Sequence, residues 1–310
     1  MNKMQHTFSI KTFFKKTIPY IWGYGYLCDL IKYLFSNFLP FKWYMRLPIK
    51  PGKLINANLS FGTVILSSPE RCSIAKKLYW TEGAIFPEED RIALEYFSKL
   101  TKISDFVLDI GSNSGIFSLA SGLANKNVKV FAYDILPEAF HILVDNIFIN
   151  NLSAQITPNL IGIGKKSLYK APFEKITSEM PTSIKLDENF KNVVSVNVEI
   201  KTLDEVFLEN NITGQACIKI DVEGFESDIF KNALDVLKNN KPFFLCEVLN
   251  TNLEVSDYDD ILSSNNYKKF LTTDSGLIEY KNINAHEKFK DWFFIPNEKL
   301  HEVKSFLKVG

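Results

Sequence analysis

The sequence Phe106-Val-Leu-Asp-Ile-Gly-Ser-Asn-Ser-Gly-Ile-Phe117 combines an apolar run, a loop with two glycines and the start of a second apolar run. Gly111 and Gly115 allow a tight backbone and the close approach of a ligand, because no Cβ intervenes. Asp134 lies 25 residues after Asp109, at the expected end of the next strand. A strand, glycine loop, helix and second strand ending in an acid can hold a nucleoside cofactor. The pattern therefore indicates an enzyme.

Apolar runs alternate with helical patterns from residue 104 onward. The runs are continuous, as expected for strands of a parallel sheet that is covered on both faces. Strands that alternate with helices predict a doubly wound, mostly parallel α/β sheet. The predicted parallel strands are 106–110, 128–133, 155–160, 216–221 and 243–248, the helices are near 114–124, 137–150, 224–238 and 256–265, and the antiparallel C-terminal edge strands are 267–271, 277–280 and 292–295.

The chain divides by composition into two parts. Residues 1–80 form a basic, aromatic N-terminal extension with helical and short strand patterns, and residues 81–310 form the predicted catalytic domain. Within that domain, residues 168–200 interrupt the regular alternation with polar sequence. Insertions of this length in compact domains are often functional.

Charge is balanced over the whole chain, with 36 Lys and Arg against 36 Asp and Glu. It is unevenly placed, because residues 1–69 hold nine Lys or Arg and a single acid, Asp29. This asymmetry predicts either a basic interaction surface or a merely solvated basic face. We expect no nucleic-acid partner. The four Cys show no metal-ligand spacing, which favours a reducing, cytoplasmic setting.

The N-terminal segment also contains apolar residues at helical spacing. Leu27, Leu30, Ile31 and Leu34 predict an amphipathic helix, whereas Asp29 and Lys32 leave no uncharged stretch long enough to span a bilayer. The helix either packs on the catalytic domain or makes peripheral contact with a membrane surface, which for a cytoplasmic protein would be the inner face.

The loop composition favours one class of nucleoside cofactor. A dinucleotide site requires a third glycine, with the pyrophosphate at the helix N-terminus. Here the loop is Gly111-Ser-Asn-Ser-Gly115, and Asp109 precedes it within the strand. A carboxylate beside the loop would repel pyrophosphate but suits the cationic S-adenosylmethionine. Asp134 can accept both ribose hydroxyls of such a cofactor.

The segment Val107-Leu-Asp-Ile-Gly-Ser-Asn-Ser-Gly115 resembles motif I of class I methyltransferases. A more specific signal is Cys217-Ile-Lys-Ile-Asp-Val-Glu-Gly-Phe-Glu226, preceded by Lys201-Thr-Leu-Asp204 and followed by Pro242-Phe-Phe-Leu-Cys-Glu247. Together these segments resemble the FkbM family of S-adenosylmethionine-dependent methyltransferases, most strongly over residues 82–250. The resemblance implies a Rossmann-like fold and methylation of hydroxyl oxygens, often on sugars or polyketides.

The resemblance has two departures, each at the predicted cofactor site. Asp134-Ile135 stands where the family usually has Glu-Pro, and Gly111-Ser112-Asn113 stands where Gly-Ala-Asn is commoner. A shorter acid still reaches a ribose if the strand ends slightly closer. The residues predicted to bind the cofactor are Asp109, Gly111, Ser112, Asn113, Gly115 and Asp134.

A carboxylate cluster follows the fourth predicted parallel strand. Asp221 and Glu223 lie at the strand end, where the transferring methyl is expected. Much of the acceleration of methyl transfer can come from positioning, and a base can remove the proton of a hydroxyl acceptor. No His lies in a strand-end motif, so Asp221 or Glu223 is the predicted base, and Glu247 joins from the next strand.

Other interpretations of these acids remain open. The cluster could bind Mg²⁺, which prefers carboxylate oxygens. Alternatively, Glu223 and Glu226 simply favour a helix N-terminus. The leading hypothesis is an O-methyltransferase acting on a glycan, glycolipid or related small molecule. The alternatives are an NAD-dependent oxidoreductase and a non-catalytic, membrane-associated scaffold.

Overall fold

A computed structural model of the chain describes residues 17–21, 23–35, 41–85, 88–172, 195–222, 224–249 and 255–304. The helices in chain order are α1 (Tyr24–Phe35), α2 (Phe41–Tyr44), α3 (Ser73–Trp80), α4 (Glu88–Lys102), α5 (Ile116–Ala124), α6 (Pro137–Ile149), α7 (Leu203–Glu209), α8 (Glu226–Lys231), α9 (Val255–Ser264) and α10 (Leu300–Val303). The strands are β1 (Ile55–Leu59), β2 (Gly62–Leu66), β3 (Phe106–Ile110), β4 (Lys129–Tyr133), β5 (Ile156–Asn159), β6 (Gly162–Ile163), β7 (Ser167–Pro172), β8 (Ser195–Lys201), β9 (Ala216–Ile220), β10 (Phe243–Glu247), β11 (Tyr267–Thr273), β12 (Gly276–Tyr280) and β13 (Asp291–Pro296).

The central sheet has eight strands in the order β5-β4-β3-β9-β10-β13-β11-β12. The five strands from β5 to β10 run parallel, while β13, β11 and β12 pair antiparallel at one side. The predicted doubly wound, mostly parallel fold with antiparallel C-terminal edge strands is confirmed. Its strand bounds agree with the sequence patterns to within two residues, because continuous apolar runs mark buried parallel strands clearly.

The switch in strand order lies between β3 and β9. The chain leaves β3 for β4 and β5 on one side, and later returns to place β9 on the other side. Ligands of open α/β sheets bind beyond the carboxyl ends of the strands at such a point. In this protein those ends are Ile110 and Ile220, which are paired in register.

Buried side chains cover both faces of the sheet. Along β3, Val107 packs into one apolar cluster, whereas Leu108 and Ile110 pack into the other. The first cluster also contains Ala57 and Trp80 from the N-terminal part of the chain. The N-terminal strands and α3 therefore share a core with the sheet. The predicted domain boundary at residue 80 stays a prediction.

Among the elements that differ from the sequence prediction, one is a divided helix and another is α3. The predicted helix 224–238 is divided into α8 and a π-helical turn at Val236–Asn240. The second segment starts anew because Asp204 accepts hydrogen bonds from the backbone N–H groups of Asp235 (3.3 Å) and Val236 (2.9 Å). The eight-residue α3 has no counterpart in the sequence prediction, and its N-cap is the unusual Cys72, whose Sγ accepts from Ala75 N–H at 3.4 Å.

The polar interruption of the alternation forms part of a second sheet. Strand β8 pairs in parallel with β6 and antiparallel with β7, giving the order β6-β8-β7. Residues 173–194 of this insertion lie outside the described part of the chain. Within the described residues, no helix is both long and apolar enough to cross a membrane.

Candidate active site

A cavity of about 600 Å³ opens at the carboxyl ends of the parallel strands. This volume lies within the range of roughly 300–1,000 Å³ that is usual for small-molecule sites. Its wall includes Gly111 after β3, Asp134 after β4 and Asp221 after β9. Helix α3 and the second sheet, β6-β8-β7, which we call the small sheet, close other sides of the cavity. They contribute residues such as Lys77 and Tyr169. The cavity therefore coincides with the switch point.

The glycine loop is fastened by backbone hydrogen bonds to the neighbouring strand. The N–H groups of Gly111 and Ser112 both donate to the carbonyl of Tyr133 at 3.0 Å. Gly111 has a φ of 78°, and a Cβ at this position would collide with the backbone oxygen of Asp221. Asp221 N–H in turn donates to Ile110 at 3.0 Å. Gly111 thus lets the ends of β3, β4 and β9 meet.

Asp134 holds the tip of the same loop. Its Oδ2 accepts from Asn113 N–H, and its Oδ1 accepts from Leu136 N–H, both at 2.8 Å. Burial raises the pKa of Asp134 to about 6, although these two hydrogen bonds oppose the shift. Asn113 has a left-handed φ of 49°, and its buried Oδ1 has no hydrogen-bond partner among the described residues. Both side chains belong to residues that line the cavity.

The other three predicted cofactor residues support the loop from behind and do not line the cavity. Asp109 is buried, and its Oδ2 accepts from the N–H and hydroxyl of Ser118 at 3.0 and 2.6 Å. Burial raises the pKa of Asp109, and Lys219 opposes that shift. Ser112 donates its hydroxyl to the Tyr133 carbonyl at 3.2 Å. Gly115 is the N-cap of α5, with a φ of 81°, and packs against Leu143.

A buried lysine dominates the charges on the opposite side of the cavity. Lys219 Nζ donates to Asp221 Oδ2 at 2.8 Å and lies 4.8 Å from the centroid of the Phe117 ring. Burial acts against the charged form of Lys219, but Asp221 and Asp109 outweigh it and raise its pKa. For Asp221, burial likewise acts to raise the pKa, but Lys219 outweighs burial and the pKa is lowered. The two groups form an ion pair.

Two further carboxyls complete an acid cluster with Asp221. Glu247 and Asp291 face each other in the β10–β13 register, and both line the cavity. Burial, together with the charge of Asp221 and a hydrogen bond to it, raises the pKa of Glu247 to about 9. Burial and the charge of Asp90 raise the pKa of Asp291 to about 7. At neutral pH the three acids therefore differ, with Asp221 ionised, Glu247 protonated and Asp291 between the two states.

Two further acids that the sequence singles out are Glu223 and Glu226. Glu223 lies outside the described residues. Glu226 is buried at the start of α8, accepts from Gly224 N–H at 3.1 Å and does not line the cavity. In the described part of the chain, no group of three or more His, Cys, Asp or Glu side chains is arranged to hold a metal ion. The magnesium alternative therefore has no support from the donor set.

Several polar residues of the cavity wall are missed by sequence reasoning, among them Lys219, Asp291, Tyr133 and Tyr169. It gives Lys219 no role, although residues two apart in a strand share a face, so that Lys219 and Asp221 can pair. Asp291 has no signal, because the predicted strand begins at Trp292. The hydroxyls of Tyr133 and Tyr169 are buried without a partner among the described residues. Such buried polar groups are normally hydrogen-bonded, so they can receive ligand groups.

Comparison with known proteins matches this chain to methyltransferases. The family profile described as "Methyltransferase FkbM domain" matches residues 109–269. Methyltransferase sdnD of Sordaria araneosa is 27% identical over 158 residues, covering 41% of this chain and 59% of the relative. A ribosomal protein L11 methyltransferase of Geobacter sp. (strain M21) is 26% identical over 171 residues, covering 48% and 51%. The chain thus spans little more than half the length of these two relatives.

One solved structure with a similar arrangement is the FkbM methyltransferase from Methylobacillus flagellatus KT. It has a TM-score of 0.42 and 16% sequence identity, over 62% of this chain and 43% of that chain.

Proposed function

The chain belongs to the FkbM family of methyltransferases, and from this premise we propose that it transfers a methyl group from S-adenosylmethionine to a hydroxyl oxygen. The proposed acceptor is a glycan, glycolipid or related small molecule. The observation that carries the proposal is that one cavity is lined both by the glycine loop with Asp134 and by the acid cluster. Membership of a methyltransferase family favours this reaction over hydride transfer to NAD. The non-catalytic scaffold stays a hypothesis.

The loop side of the cavity fits the cofactor. Each oxygen of Asp134 accepts one backbone N–H and retains a lone pair, so the carboxylate can accept two ribose hydroxyls. The unpartnered Oδ1 of Asn113 offers another acceptor at the same loop. Asp221 supplies negative charge that suits a sulfonium and an ammonium group. When bound there, S-adenosylmethionine supplies an electrophilic methyl group.

The three carboxyls of the acid cluster have different roles in proton transfer. Glu247 carries its own proton at neutral pH and donates it in a hydrogen bond to Asp221, so it cannot serve as the base. Asp221 is held ionised by Lys219, which makes it a weak base but a stable acceptor for orienting a hydroxyl. A base works best with a pKa near the working pH. Asp291 lines the cavity opposite Glu247 and has a pKa raised to about 7, and it is therefore the proposed base for the proton that the acceptor oxygen loses.

The small sheet supplies the acceptor side of the cavity. Lys165, Ser167 and Tyr169 line this wall, and the Tyr169 hydroxyl is buried without a partner among the described residues. Helix α3 adds Ser73 and Lys77, which lie one helical turn apart. These donors and acceptors suit a polyhydroxylated acceptor, while Ile74 and Leu78 of the same helix add apolar surface.

Calorimetric titration with S-adenosylmethionine tests the cofactor assignment. Wild-type protein is expected to bind, and Asp134→Ala is expected to lose affinity by more than tenfold, because the carboxylate contacts and the loop tip are both lost. Asp134→Asn retains one acceptor for a backbone N–H and is expected to fold and bind weakly. Asp145→Ala, an exposed acid of α6, is the matched control and should bind as wild type does.

Failure of folded wild-type protein to bind S-adenosylmethionine would contradict the proposal. A fluorescence titration with NADH separates the oxidoreductase alternative, since tight NADH binding would support it. Transfer of labelled methyl into glycan and lipid extracts, followed by mass spectrometry, then identifies the acceptor class. Methyl label on nitrogen or carbon would contradict the O-methyl assignment, and absence of any transfer by cofactor-binding protein would favour the scaffold.

A further inference from the structure

Helix α1 carries an exposed apolar surface that the proposed reaction does not use. Its members are Tyr26, Leu27, Leu30, Tyr33 and Leu34, which we call the aromatic face. They are between 48% and 83% exposed. Their spacing puts them on one side of the helix. Apolar surface continues at the preceding turn, where Tyr20 and Ile21 are also exposed.

The opposite side of α1 is anchored to the body of the protein. Cys28 is 1% exposed, and Tyr24 donates its hydroxyl to the Pro48 carbonyl at 2.9 Å. Gly25 is buried next to the side chain of Lys50. The helix is therefore held in a definite orientation with its aromatic face outward. Isolated exposed apolar residues are ordinary, but a contiguous set on an anchored helix marks an interaction surface.

Charge indicates the kind of partner. Residues 1–69 hold nine Lys or Arg and a single acid, Asp29. That acid is paired with Lys53, whose Nζ lies 2.6 Å from its Oδ1. Arg46 and Lys50 are exposed in the same segment, and Arg46 lies 5.8 Å from the ring of the exposed Trp43. A contact with the same segment of a second copy would bring like charges together, whereas an anionic surface would be attracted.

We propose that the aromatic face of α1 docks this protein peripherally on an anionic phospholipid bilayer. Leu side chains enter the boundary between headgroups and acyl chains, and Tyr and Trp side chains lie at the headgroup level, where their apolar rings and polar atoms are both satisfied. Basic residues of the segment attract anionic headgroups. The helix has 12 residues, far fewer than the roughly 20 needed to span, so it lies along the surface.

The docking surface is linked to the candidate active site. Tyr79 of α3 donates its hydroxyl to Asp29 of α1 at 2.6 Å. Lys32 of α1 and Lys53 lie 5.1 and 4.8 Å from the Tyr79 ring. The same α3 contributes Lys77 and Leu78 to the cavity wall. Helix α3 thus contacts both the docking helix α1 and the cavity. When α1 is bound to a bilayer, the cavity lies close to the membrane surface, a position suited to an acceptor that is itself held in a membrane.

Vesicle sedimentation of the full chain tests the docking directly and does not depend on methyl transfer. Wild-type protein is expected to sediment with phosphatidylcholine vesicles enriched in phosphatidylglycerol, and at least tenfold less with pure phosphatidylcholine. The triple variant Tyr26→Ser, Leu30→Ser, Tyr33→Ser is expected to lose at least tenfold in binding. A matched triple variant at exposed apolar residues elsewhere, Phe148→Ser, Leu168→Ser, Leu208→Ser, should bind as wild type does.

Circular dichroism establishes that each variant is folded. If the serine triple variant fails to fold, the charge reversal Arg46→Glu at an exposed position replaces it and is expected to weaken binding to anionic vesicles at least threefold. The proposal is overturned if wild-type protein stays in the supernatant, or if the folded variants bind like wild type. It is also overturned if ultracentrifugation shows a dimer that the serine variant abolishes while vesicles bind neither protein.

Discussion

The two sides of the cavity are built in different ways. At the glycine loop, the ends of β3 and β4 are joined by backbone hydrogen bonds, and both oxygens of Asp134 bind backbone N–H groups. At the acid cluster, Asp221, Glu247 and Asp291 come from three strands and are related through one lysine and one another's charges. The loop therefore depends on local geometry, whereas the cluster depends on long-range proximity.

The two sides of the cavity should therefore respond differently to substitutions that alter the shape or the charge of a residue. The backbone hydrogen bonds of the loop are sensitive to the shape of a residue and do not themselves titrate, although Asp134 at the loop tip, with a pKa of about 6, does. A cluster of coupled carboxyls is sensitive to any change in charge, because each group sets the protonation of its neighbours. Substitutions that alter either charge or shape separate these two kinds of sensitivity.

Removal of the central lysine should have the largest effect. Lys219→Met leaves the buried Asp109 and the partly exposed Asp221 without their cation, and the loss should approach but not exceed the roughly 3–5 kcal/mol of a fully buried pair, because the Asp221 side chain is 36% exposed. The pKa values of Asp221 and Asp109 should rise, because Lys219 lowers both. Urea denaturation at neutral pH measures the loss of unfolding free energy.

The pH dependence of this pair follows from the direction of its two shifts. The lowered pKa of Asp221 contributes stability above the ordinary range of an aspartate, which is lost as pH falls through the folded value. The raised pKa of Lys219 contributes stability below the ordinary range of a lysine, which is lost as pH rises through the folded value. The deficit of Lys219→Met should therefore be greatest at neutral pH. Lys269→Met removes a buried lysine that pairs with Asp259 outside the cavity, so it should also lose stability, but unlike Lys219→Met it should leave cofactor binding unchanged. A loss below about 1 kcal/mol for Lys219→Met would contradict the central role of the pair.

A single methyl group in the loop should have the next largest effect. Gly111→Ala places a Cβ against the backbone oxygen of Asp221 at a φ of 78°, so strain and overlap should cost about 2–4 kcal/mol. Gly164→Ala is the matched control, because its Cβ would meet its nearest neighbours at 3.8 Å. Denaturation curves of both variants measure the difference. Equal stability of the two would show that the ends of β3 and β9 can separate without cost, contrary to this structure.

The smallest expected effect is a change in the slope of stability against pH. Glu247 and Asp291 have pKa values of about 9 and about 7, so the folded protein binds more protons than the unfolded chain between roughly pH 5 and pH 9. The contribution of these groups to the unfolding free energy should therefore fall as pH rises through this window. Glu247→Gln keeps a hydrogen-bond donor for Asp221 but cannot ionise, and should flatten the fall by about 1–2 kcal/mol.

Thermal denaturation in a series of buffers between these limits measures that slope. Glu279→Gln alters an exposed surface acid paired with Lys268 and serves as the control, with the wild-type slope expected. An identical slope in Glu247→Gln and wild type would show that Glu247 is already ionised at neutral pH, and Glu247 would then compete with Asp291 as the base.

Much of the loop side could be predicted from the sequence. The apolar run predicts β3 over residues 106–110, as observed, and the motif places Gly111, Asn113 and Asp134 at one site. The roles of Asp109, Ser112 and Gly115 differ in detail, since their side chains or backbone support the loop from behind. Alternating patterns locate strand ends, but they do not show which side of a loop faces a cavity.

The acid side could be predicted only in part. Asp221 and Glu247 are recognisable because each ends a strand of the apolar pattern, but Asp291 gives no such signal. It is placed opposite Glu247 by an antiparallel pairing that depends on the whole C-terminal part of the chain. Helix α3 is missed for a related reason, because its packing on the core, with Leu78 and Tyr79 buried, decides its conformation more than its short sequence does.

The sequence by itself determined the alternation of parallel strands and helices from β3 onward, the glycine loop, the acid at the end of β4 and the family, because these depend on local periodicity and on residues close together in the chain. Only the tertiary structure decided that Lys219 and three carboxyls share one cavity with that loop, and which of the carboxyls carries a proton. Those properties arise from burial and from charges that distant segments bring together. Neither burial nor the proximity of distant segments can be derived from the local order of residues.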